Sequence, residues 1–258
     1  MGNVTHTREG HVATVILENA ARHNAMTIGM WRGLTSLLAQ LQADASVRVV
    51  VLRGEGDRAF VSGADISEFG AERNTPEGVV AYDKAVDDAQ STLAHFSRPV
   101  IAAISGICYG GGLGLAFACD LRYAASSARF RMPAARLGLG YALNGMQRMV
   151  DVLGAPIASE LFYTARVCDS SEALRIGLVN AVQEDCFAYA AGVAAQIAAN
   201  APLTVRAAKL AISALRSGQA QASADAIAQA VKACFESADY AEGRKAFAEK
   251  RTPLFTGQ

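Results

Sequence analysis

Hydrophobic and polar positions follow two different periods along the chain, and each period predicts its own type of element. Unbroken apolar runs rich in β-branched residues predict buried strands at residues 12–17, 47–52 and 99–104. After Thr27, a good N-cap residue, apolar side chains recur at every third or fourth position, which predicts a core-facing helix to about Asp44. A second helix is predicted at about residues 76–96. This alternation of strands and helices indicates an α/β fold.

The middle of the chain departs from a regular alternation. After a helix predicted near residues 112–119 come two short candidate strands, at residues 121–125 and 130–132, with no room for a crossover helix between them. Two short strands for each helix favour a coiled ββα arrangement over a plain doubly wound sheet.

The composition changes to alanine-rich helix from about Ala188. Helices are predicted at residues 188–199, 203–216 and 220–237, with stop and start signals at Asn200-Ala201-Pro202 and Ser217-Gly218. We therefore divide the chain into a core at 1–187 and a helical region at 188–258. Two roles fit the second region. It is either a cap on the same domain or an assembly element, because small alanine faces allow close helix packing.

Charge and composition narrow the classes of partner. The 258 residues carry 24 Lys plus Arg and 24 Asp plus Glu, so the basic excess typical of nucleic-acid binders is absent. The 5 cysteines are scattered without a Cys-x-x-Cys pair, and the 4 histidines lack metal-ligand spacing. Residues 1–8 lack the basic start and apolar run typical of a secretory signal, and no stretch approaches the length of apolar residues that would span a bilayer, so we expect neither a leader nor a membrane span. We expect a cytoplasmic protein without a metal and without a nucleic-acid or membrane partner.

Two glycine-containing segments are candidates for chemistry. The stretch from Gly106 to Gly114 fits neither a Walker loop nor the dinucleotide fingerprint, and no Gly-x-Ser-x-Gly elbow occurs. It follows a strand and precedes a helix near Gly111, whose free N–H groups suit an oxyanion. The alternative is a turn needed only for packing. The segment from Phe60 to Ile66 has the same character, and within it Asp65 is expected to cap the following turn rather than to catalyse.

Taken together and in this order, the segments of the chain resemble the crotonase (enoyl-CoA hydratase/isomerase) superfamily. The matching pieces run almost from end to end: Arg22-His23-Asn24-Ala25-Met26, Ser62-Gly63-Ala64-Asp65-Ile66, Arg98-Pro99-Val100-Ile101-Ala102-Ala103, Gly110-Gly111-Gly112, Cys119-Asp120-Leu121, Gln147-Arg148, residues 173–179 and residues 242–251. The resemblance implies an α/β fold made of a spiral of ββα turns, with a C-terminal helical trimerisation region. It also implies a homotrimer or homohexamer that acts on acyl-CoA thioesters, with no cofactor beyond the CoA moiety.

The resemblance also assigns roles to particular positions. The backbone N–H groups of Ala64 and Gly111 would hold the thioester oxygen as catalytic groups. Ala25 and the stretch of Ala64, Asp65, Ile66 and Ser67 would line the path of CoA. Lys250 matches a C-terminal lysine that approaches CoA, often at a neighbouring subunit.

The chain departs from the family pattern where its hydratases carry two glutamates. Those positions are Gly114 and Ala134, and neither side chain can transfer a proton or position a water. Isomerases of the family commonly use a carboxylate at the second position or further along that loop, where Ala142 stands. Ordinary hydration and ordinary isomerisation are therefore both in question.

The loop retains a few polar groups, which are Arg136, Tyr141 and Asn144. Tyr141 falls where methylmalonyl-CoA decarboxylase-like members carry a tyrosine, although those relatives often have histidine at the position of Ala64. Tyr141 is therefore a candidate catalytic residue, and the alternative is a packed loop residue. The leading hypothesis is a lyase such as a malonyl-type acyl-CoA decarboxylase. An atypical enoyl-CoA isomerase or hydratase and a non-catalytic acyl-CoA-binding or scaffold protein are the alternatives, and the intact oxyanion segments favour an enzyme.

Overall fold

The computed structural model describes residues 2–68 and 75–258. Within them the strands are β1 (Asn3–Glu9), β2 (Val12–Glu18), β3 (Val49–Gly54), β4 (Ala59–Val61), β5 (Val100–Ile104), β6 (Ile107–Tyr109), β7 (Leu121–Ala125), β8 (Arg129–Arg131), β9 (Cys168–Asp169) and β10 (Ala181–Gln183). The helices are α1 (Ile28–Ala43), α2 (Pro76–Ala94), α3 (Gly111–Ala118), α4 (Leu143–Thr164), α5 (Ser170–Arg175), α6 (Cys186–Ala199), α7 (Pro202–Arg216), α8 (Ala224–Glu236) and α9 (Ala238–Glu249).

The strands form two sheets between which the chain alternates. The larger sheet has the order β1-β2-β3-β5-β7-β10 and the smaller sheet has the order β4-β6-β8-β9. β3, β5 and β7 lie in the larger sheet, and each is followed by a strand of the smaller sheet and then by a helix. The strands β2, β3, β5, β7 and β10 run parallel, as do β4, β6 and β8. The predicted ββα spiral is therefore confirmed.

The main core lies between these sheets and the helices α1 to α4. Its largest fully buried side chains include Trp31, Phe60, Phe117 and Phe130. The apolar stripe of α1 supplies one wall, and Thr27 caps this helix by accepting a hydrogen bond from the N–H of Met30, as its sequence predicts.

The opposite face of the larger sheet is covered by α6. Ala190, Ala194 and Ala198, one turn apart, pack against Val49, Val51 and Ile101. Because β3 and β5 are thus buried on both faces, their sequences are continuous apolar runs. The next helix, α7, is tied to the same layer by Lys209, whose Nζ donates at 2.7 Å to the carbonyl of Arg98 and at 2.7 Å to Asp120. The division of the chain at residue 188 stays a prediction.

Most of the elements expected from the pattern are present with shifts of one to four residues. The strands at 12–17, 47–52 and 99–104 correspond to β2, β3 and β5, and α8 begins at Ala224 rather than at residue 220. The sequence pattern missed β1, the three-residue strands β4, β6 and β10, the two-residue strand β9, and the helices α4, α5 and α9. α4 is broken by a non-helical Gly154 with φ 72°, followed by Pro156, which hides its period.

Among the residues that the structure describes, no single helix is both long enough and apolar enough to cross a bilayer. α6 and α7 reach that length only together, and they are bent by 110° at the break between them.

The start of α3 depends on close backbone contact at Gly112. A methyl group at this position would overlap the carbonyl oxygen of Val61 in β4. We expect Gly112→Ala to lower the free energy of unfolding by about 1–3 kcal/mol, the usual cost of overpacking a core. Gly192→Ala is the matched control, because Gly192 lies in α6 with no atom within 4 Å of the added methyl group. That variant should gain about 0.5–1 kcal/mol. Denaturant unfolding of both variants measures the difference, and equal stabilities would contradict the packing argument.

Candidate active site

The loop that follows β4 carries Ala64 and is tied to the strand-like segment at Met26. The N–H of Met26 donates to the carbonyl of Gly63 at 2.8 Å, and the N–H of Asp65 donates to the carbonyl of Met26 at 2.9 Å. Both bonds use the neighbours of Ala64. Its own N–H has no acceptor among the described residues. Gly63 has φ 122°, a conformation that L side chains rarely adopt, so the sharp turn before Ala64 requires glycine.

The second loop joins β6 to α3. Gly110 is the N-cap of α3 with φ 51°, and its N–H donates to the carbonyl of Arg131 at 2.9 Å. Gly111 occupies the first helical position, where the N–H has no partner within the helix. No other acceptor for it occurs in the part of the chain that the structure describes.

These two loops adjoin. A methyl group built on Gly110 would lie 3.9 Å from the Cα of Gly63. The peptide groups that follow these two glycines carry the N–H groups of Ala64 and Gly111. The structure therefore brings together the two unpaired donors that the sequence singled out, at the positive end of a helix.

A buried hydrogen-bonded chain supports both loops from behind. Trp31 Nε1 donates to the hydroxyl of Tyr82 at 3.1 Å, and this hydroxyl donates to the carbonyl of Met26 at 3.2 Å. The indole ring of Trp31 also lies against Gly111, since an added methyl group there would be 3.0 Å from its Cζ2. One pair of aromatic residues thus holds the Ala64 loop and the start of α3 in place.

Asp65 has the structural role expected of it. Its buried carboxylate accepts the N–H of Ser67 at 3.0 Å and the guanidinium of Arg22 at 2.7 Å. Burial opposes ionisation, but the hydrogen bonds from Ser67 and Arg22 lower the pKa of Asp65 below its ordinary value. Asp65 therefore stays charged and fixes the loop that carries Ala64.

The other residues predicted to contact CoA differ in their exposure and position. Ala25 is buried beside this loop, and Ser67 is exposed at its outer end. Ile66 begins the 3-10 helix Ile66–Glu68, and its side chain lies outside the described part of the structure. Lys250 is exposed at the C-terminal end of α9 with φ 54°. None of the contacts described for Lys250 within this chain reaches Ala64, so its role stays a prediction.

The two positions of the missing glutamates lie close to the paired loops. Gly114 is in the first turn of α3, and its N–H donates to the carbonyl of Gly110 at 3.0 Å. Ala134 is buried directly after Pro133, whose Cδ would be 3.7 Å from a methyl group on Gly110. The space beside Gly114 is filled by the carboxamide of Gln90 from α2, which an added methyl group would overlap.

Tyr141 is connected to Gln90 through Arg148, which lies near both side chains. Its ring packs edge-on against Phe162 with centroids 5.6 Å apart and covers Gly145, where an added methyl group would overlap it. Burial raises the pKa of Tyr141 to about 12, and the nearby Arg148 opposes this shift. Its hydroxyl is therefore protonated at neutral pH and has no hydrogen-bond partner among the described residues. Arg148 in turn donates to Gln90 at 3.0 Å.

Sequence reasoning missed Gln90 and Tyr82, and it took Arg148 only as a family match. Gln90 and Tyr82 lie in the middle of a predicted helix, where a single polar residue gives no local signal. Asn144 faces Asp87 at 3.5 Å, and Arg136 is exposed in the 3-10 helix Ala134–Arg136, so neither reaches the paired loops in the contacts described.

The fold and this geometry define an α/β-spiral protein in which two unpaired backbone N–H groups adjoin, an arrangement suited to an oxyanion. A family model described as enoyl-CoA hydratase/isomerase matches residues 7–258, and the chain belongs to that family. The short-chain-enoyl-CoA hydratase of Clostridium acetobutylicum is 35% identical over 97% of this chain and 96% of its own length. The crotonyl-CoA hydratase of Syntrophomonas wolfei is 32% identical over 98% and 97%.

Solved structures confirm the crotonase fold. A crystal structure of an enoyl-CoA hydratase/carnithine racemase from Magnetospirillum magneticum superposes with a TM-score of 0.94 at 39% identity, and the match covers 100% of this chain and 97% of that one. An enoyl-CoA hydratase from Bacillus anthracis also gives a TM-score of 0.94, at 33% identity, over 99% of this chain and 100% of that one.

Replacing the donor at the start of α3 tests the paired N–H groups. Gly111→Pro removes the N–H at a helical position that tolerates proline. Gly111→Ala is the control, because it adds a similar contact with Trp31 but keeps the N–H. We expect turnover of the proline variant to fall by roughly 10²–10³-fold relative to the alanine variant, the scale for one lost oxyanion donor. Equal turnover of the two folded variants would show that this turn serves packing alone.

Proposed function

We propose that the protein decarboxylates a malonyl-type acyl-CoA, with the thioester enolate held by the N–H groups of Ala64 and Gly111. The observation that carries this proposal is the combination of two unpaired, adjoining donors with a wall that offers no carboxylate at Gly114 or Ala134. Loss of CO₂ generates the enolate directly and needs no general base. The site thus retains what this reaction requires.

The electron flow in the proposed step is simple. The bond between the carboxylate carbon and Cα breaks, CO₂ leaves, and the electron pair moves through Cα to the thioester oxygen. The two N–H groups stabilise the negative charge that develops there. Tyr141 then donates its proton to Cα, which gives the shorter acyl-CoA, and water returns a proton to the phenolate. Because the pKa of Tyr141 is about 12, this group acts as an acid and not as a base near neutral pH.

Hydration or isomerisation of an enoyl-CoA is the second candidate, and the relatives favour it. The two proteins from Clostridium acetobutylicum and Syntrophomonas wolfei are named as hydratases. Against it stand Gly114 and Ala134 at the positions where the resemblance places the two glutamates. A hydratase of this sequence would need another acid and another base to activate water.

For CoA itself, we propose the surface formed by Ala25, Ala64, Asp65, Ile66 and Ser67, with Lys250 contributed from an adjacent subunit. Apolar side chains exposed on the C-terminal helices support the assembly that this requires. They include Ile212 and Leu215 in α7, Phe235 in α8 and Phe247 in α9, which is 87% exposed. Phe235 and Phe247 line one groove, and contiguous exposed apolar surface of this kind marks contact surfaces.

Assays on a panel of acyl-CoAs decide between these functions. We expect CO₂ release from malonyl-CoA or a 2-alkyl malonyl-CoA, and hydration of crotonyl-CoA slower than in glutamate-bearing hydratases by at least 10²-fold, the smallest effect of one positioned acid or base. Hydration at ordinary enzymatic rates without CO₂ release would overturn the proposal. CoA thioester binding with no turnover of any substrate would favour the scaffold alternative.

The pH dependence tests the role of Tyr141. A tyrosine of ordinary pKa would be half ionised near pH 10, whereas Tyr141 with a pKa of about 12 stays protonated there. We therefore expect the decarboxylation rate to be flat from pH 7 to pH 10. Tyr141→Phe should lower kcat by about 10²-fold or more at all these pH values. Tyr163→Phe, an exposed tyrosine in α4, is the control. An unchanged kcat in Tyr141→Phe would leave the ring a packing role only.

Light scattering tests the assembly. The protein should run as a trimer or hexamer with closed symmetry. Phe247→Asp, which places a charge on the exposed apolar surface, should shift it toward smaller species. A monomeric natural protein at micromolar concentration would contradict the assembly and with it the shared Lys250 contact.

A further inference from the structure

We propose that Gln90 is a substrate-binding residue, whose Nε2 donates a hydrogen bond to a carboxylate on the acyl group. The substrate class in this inference rests on the proposed function. Gln90 is only 3% exposed, and its carboxamide lies against Gly114 in the first turn of α3. It comes from α2, a different element from those that carry the paired N–H groups.

The orientation of the carboxamide follows from its partner. Arg148 Nη2 lies 3.0 Å from Gln90 Oε1. A guanidinium is a donor only, so the amide oxygen must face Arg148 and the NH₂ group must face away from it. Consistently, a methyl group on Gly114 would overlap Nε2, while Cδ and Oε1 would lie 3.0 and 3.1 Å from it. The NH₂ group therefore faces the turn of α3 that begins at Gly111.

Both side chains of this pair have unused donors. Gln90 Nε2 makes no hydrogen bond to any described residue, although it is not sealed from solvent. Arg148 Nε is completely buried and also lacks a partner in the described structure. Buried polar groups are nearly always paired in folded proteins. Because Arg148 Nε is sealed from solvent, Gln90 Nε2 is the one of these two donors that can meet an incoming group, and its unused N–H indicates that an acceptor on the substrate binds there.

The position fits the acyl group rather than the CoA moiety. Gly111 and Gly114 are three residues apart on one face of α3, within one turn of about 5.4 Å. A thioester whose oxygen is held by the Gly111 N–H would place a substituent on its Cα within reach of a donor beside Gly114.

The electrostatics select a carboxylate. Arg148 polarises the carboxamide through the hydrogen bond to its oxygen, which strengthens the N–H groups as donors. Asp87 offsets the guanidinium only in part, because its Oδ1 lies 3.6 Å from Arg148 Nη2 and its side chain is 40% exposed. A neutral amide binds the carboxylate more weakly than an ion pair would, so it stabilises the ground state less and opposes the loss of CO₂ less.

Binding of a stable analogue tests the proposal without turnover. 2-Sulfoacetyl-CoA carries a sulfonate in place of the carboxylate and cannot release CO₂, and acetyl-CoA lacks the anion. By calorimetry, the natural protein should bind 2-sulfoacetyl-CoA more tightly than acetyl-CoA. Gln90→Leu should weaken binding of the sulfonate by about 10–100-fold, the value of a hydrogen bond to a charged group, with acetyl-CoA affinity unchanged. Gln147→Leu, an exposed glutamine of α4 that pairs with Asp151, should change neither.

A second variant separates recognition from packing. Gln90→Glu keeps an acceptor for Arg148 but presents an oxygen to the substrate anion, so it should weaken sulfonate binding more than Gln90→Leu does. An equal loss of affinity for both thioesters would overturn the proposal. A natural protein that binds acetyl-CoA more tightly than 2-sulfoacetyl-CoA would also overturn it, and this comparison needs no variant to fold. CO₂ release is measured separately on the natural protein. Preference for the sulfonate without CO₂ release would overturn the proposed decarboxylation but support the anion subsite at Gln90. CO₂ release without that preference would support the decarboxylation and overturn the anion subsite.

Discussion

The close approach of two backbone turns is the constraint on which the rest of the site depends. Gly112 lies against the carbonyl of Val61, and Gly110 lies near Gly63, so β4 and the start of α3 approach each other closely at positions where glycine carries no side chain. This contact and the pairing of β4 with β6 place the peptide groups of Ala64 and Gly111 next to each other. The alternation of the chain between two sheets makes the contact possible, because β4 and β6 are neighbours in the smaller sheet while β3 and β5 are neighbours in the larger one.

The polar residues packed against these turns hydrogen-bond to one another and to the neighbouring backbone, so the N–H groups of Ala64 and Gly111 remain unpaired. Tyr82 and Trp31 satisfy one another and the carbonyl of Met26, and Asp65 is satisfied by Ser67 and Arg22. Each of these partners removes a competing acceptor or donor from the neighbourhood. Preorganised donors of this kind need no rearrangement when charge develops on the substrate.

The sequence revealed the parts of the fold whose burial is uniform. β3 and β5 are buried on both faces, which produces unbroken apolar runs, and α1 is buried on one face, which produces a clear helical stripe. β1 is a mostly exposed edge strand with polar residues, and β4 and β6 span three residues each, so none of them has a readable period. The paired donors could be predicted because glycines between a strand and a helix are local in sequence. The role of Gln90 could not be predicted, because it depends on a hydrogen bond from Arg148, which is 58 residues away in the sequence.

The overlap between position 114 and Gln90 also constrains how such a site evolves. A side chain on residue 114 and the carboxamide of residue 90 exclude each other, so the effect of a change at either position depends on the other. A glutamate placed at 114 alone would have to push aside a buried amide and would leave Arg148 without its acceptor. Exchange between this site and one with two carboxylates is therefore epistatic. A protein changed at only one of the two positions has neither arrangement intact. Reversion to a site with two carboxylates therefore needs changes at both positions and not a single substitution.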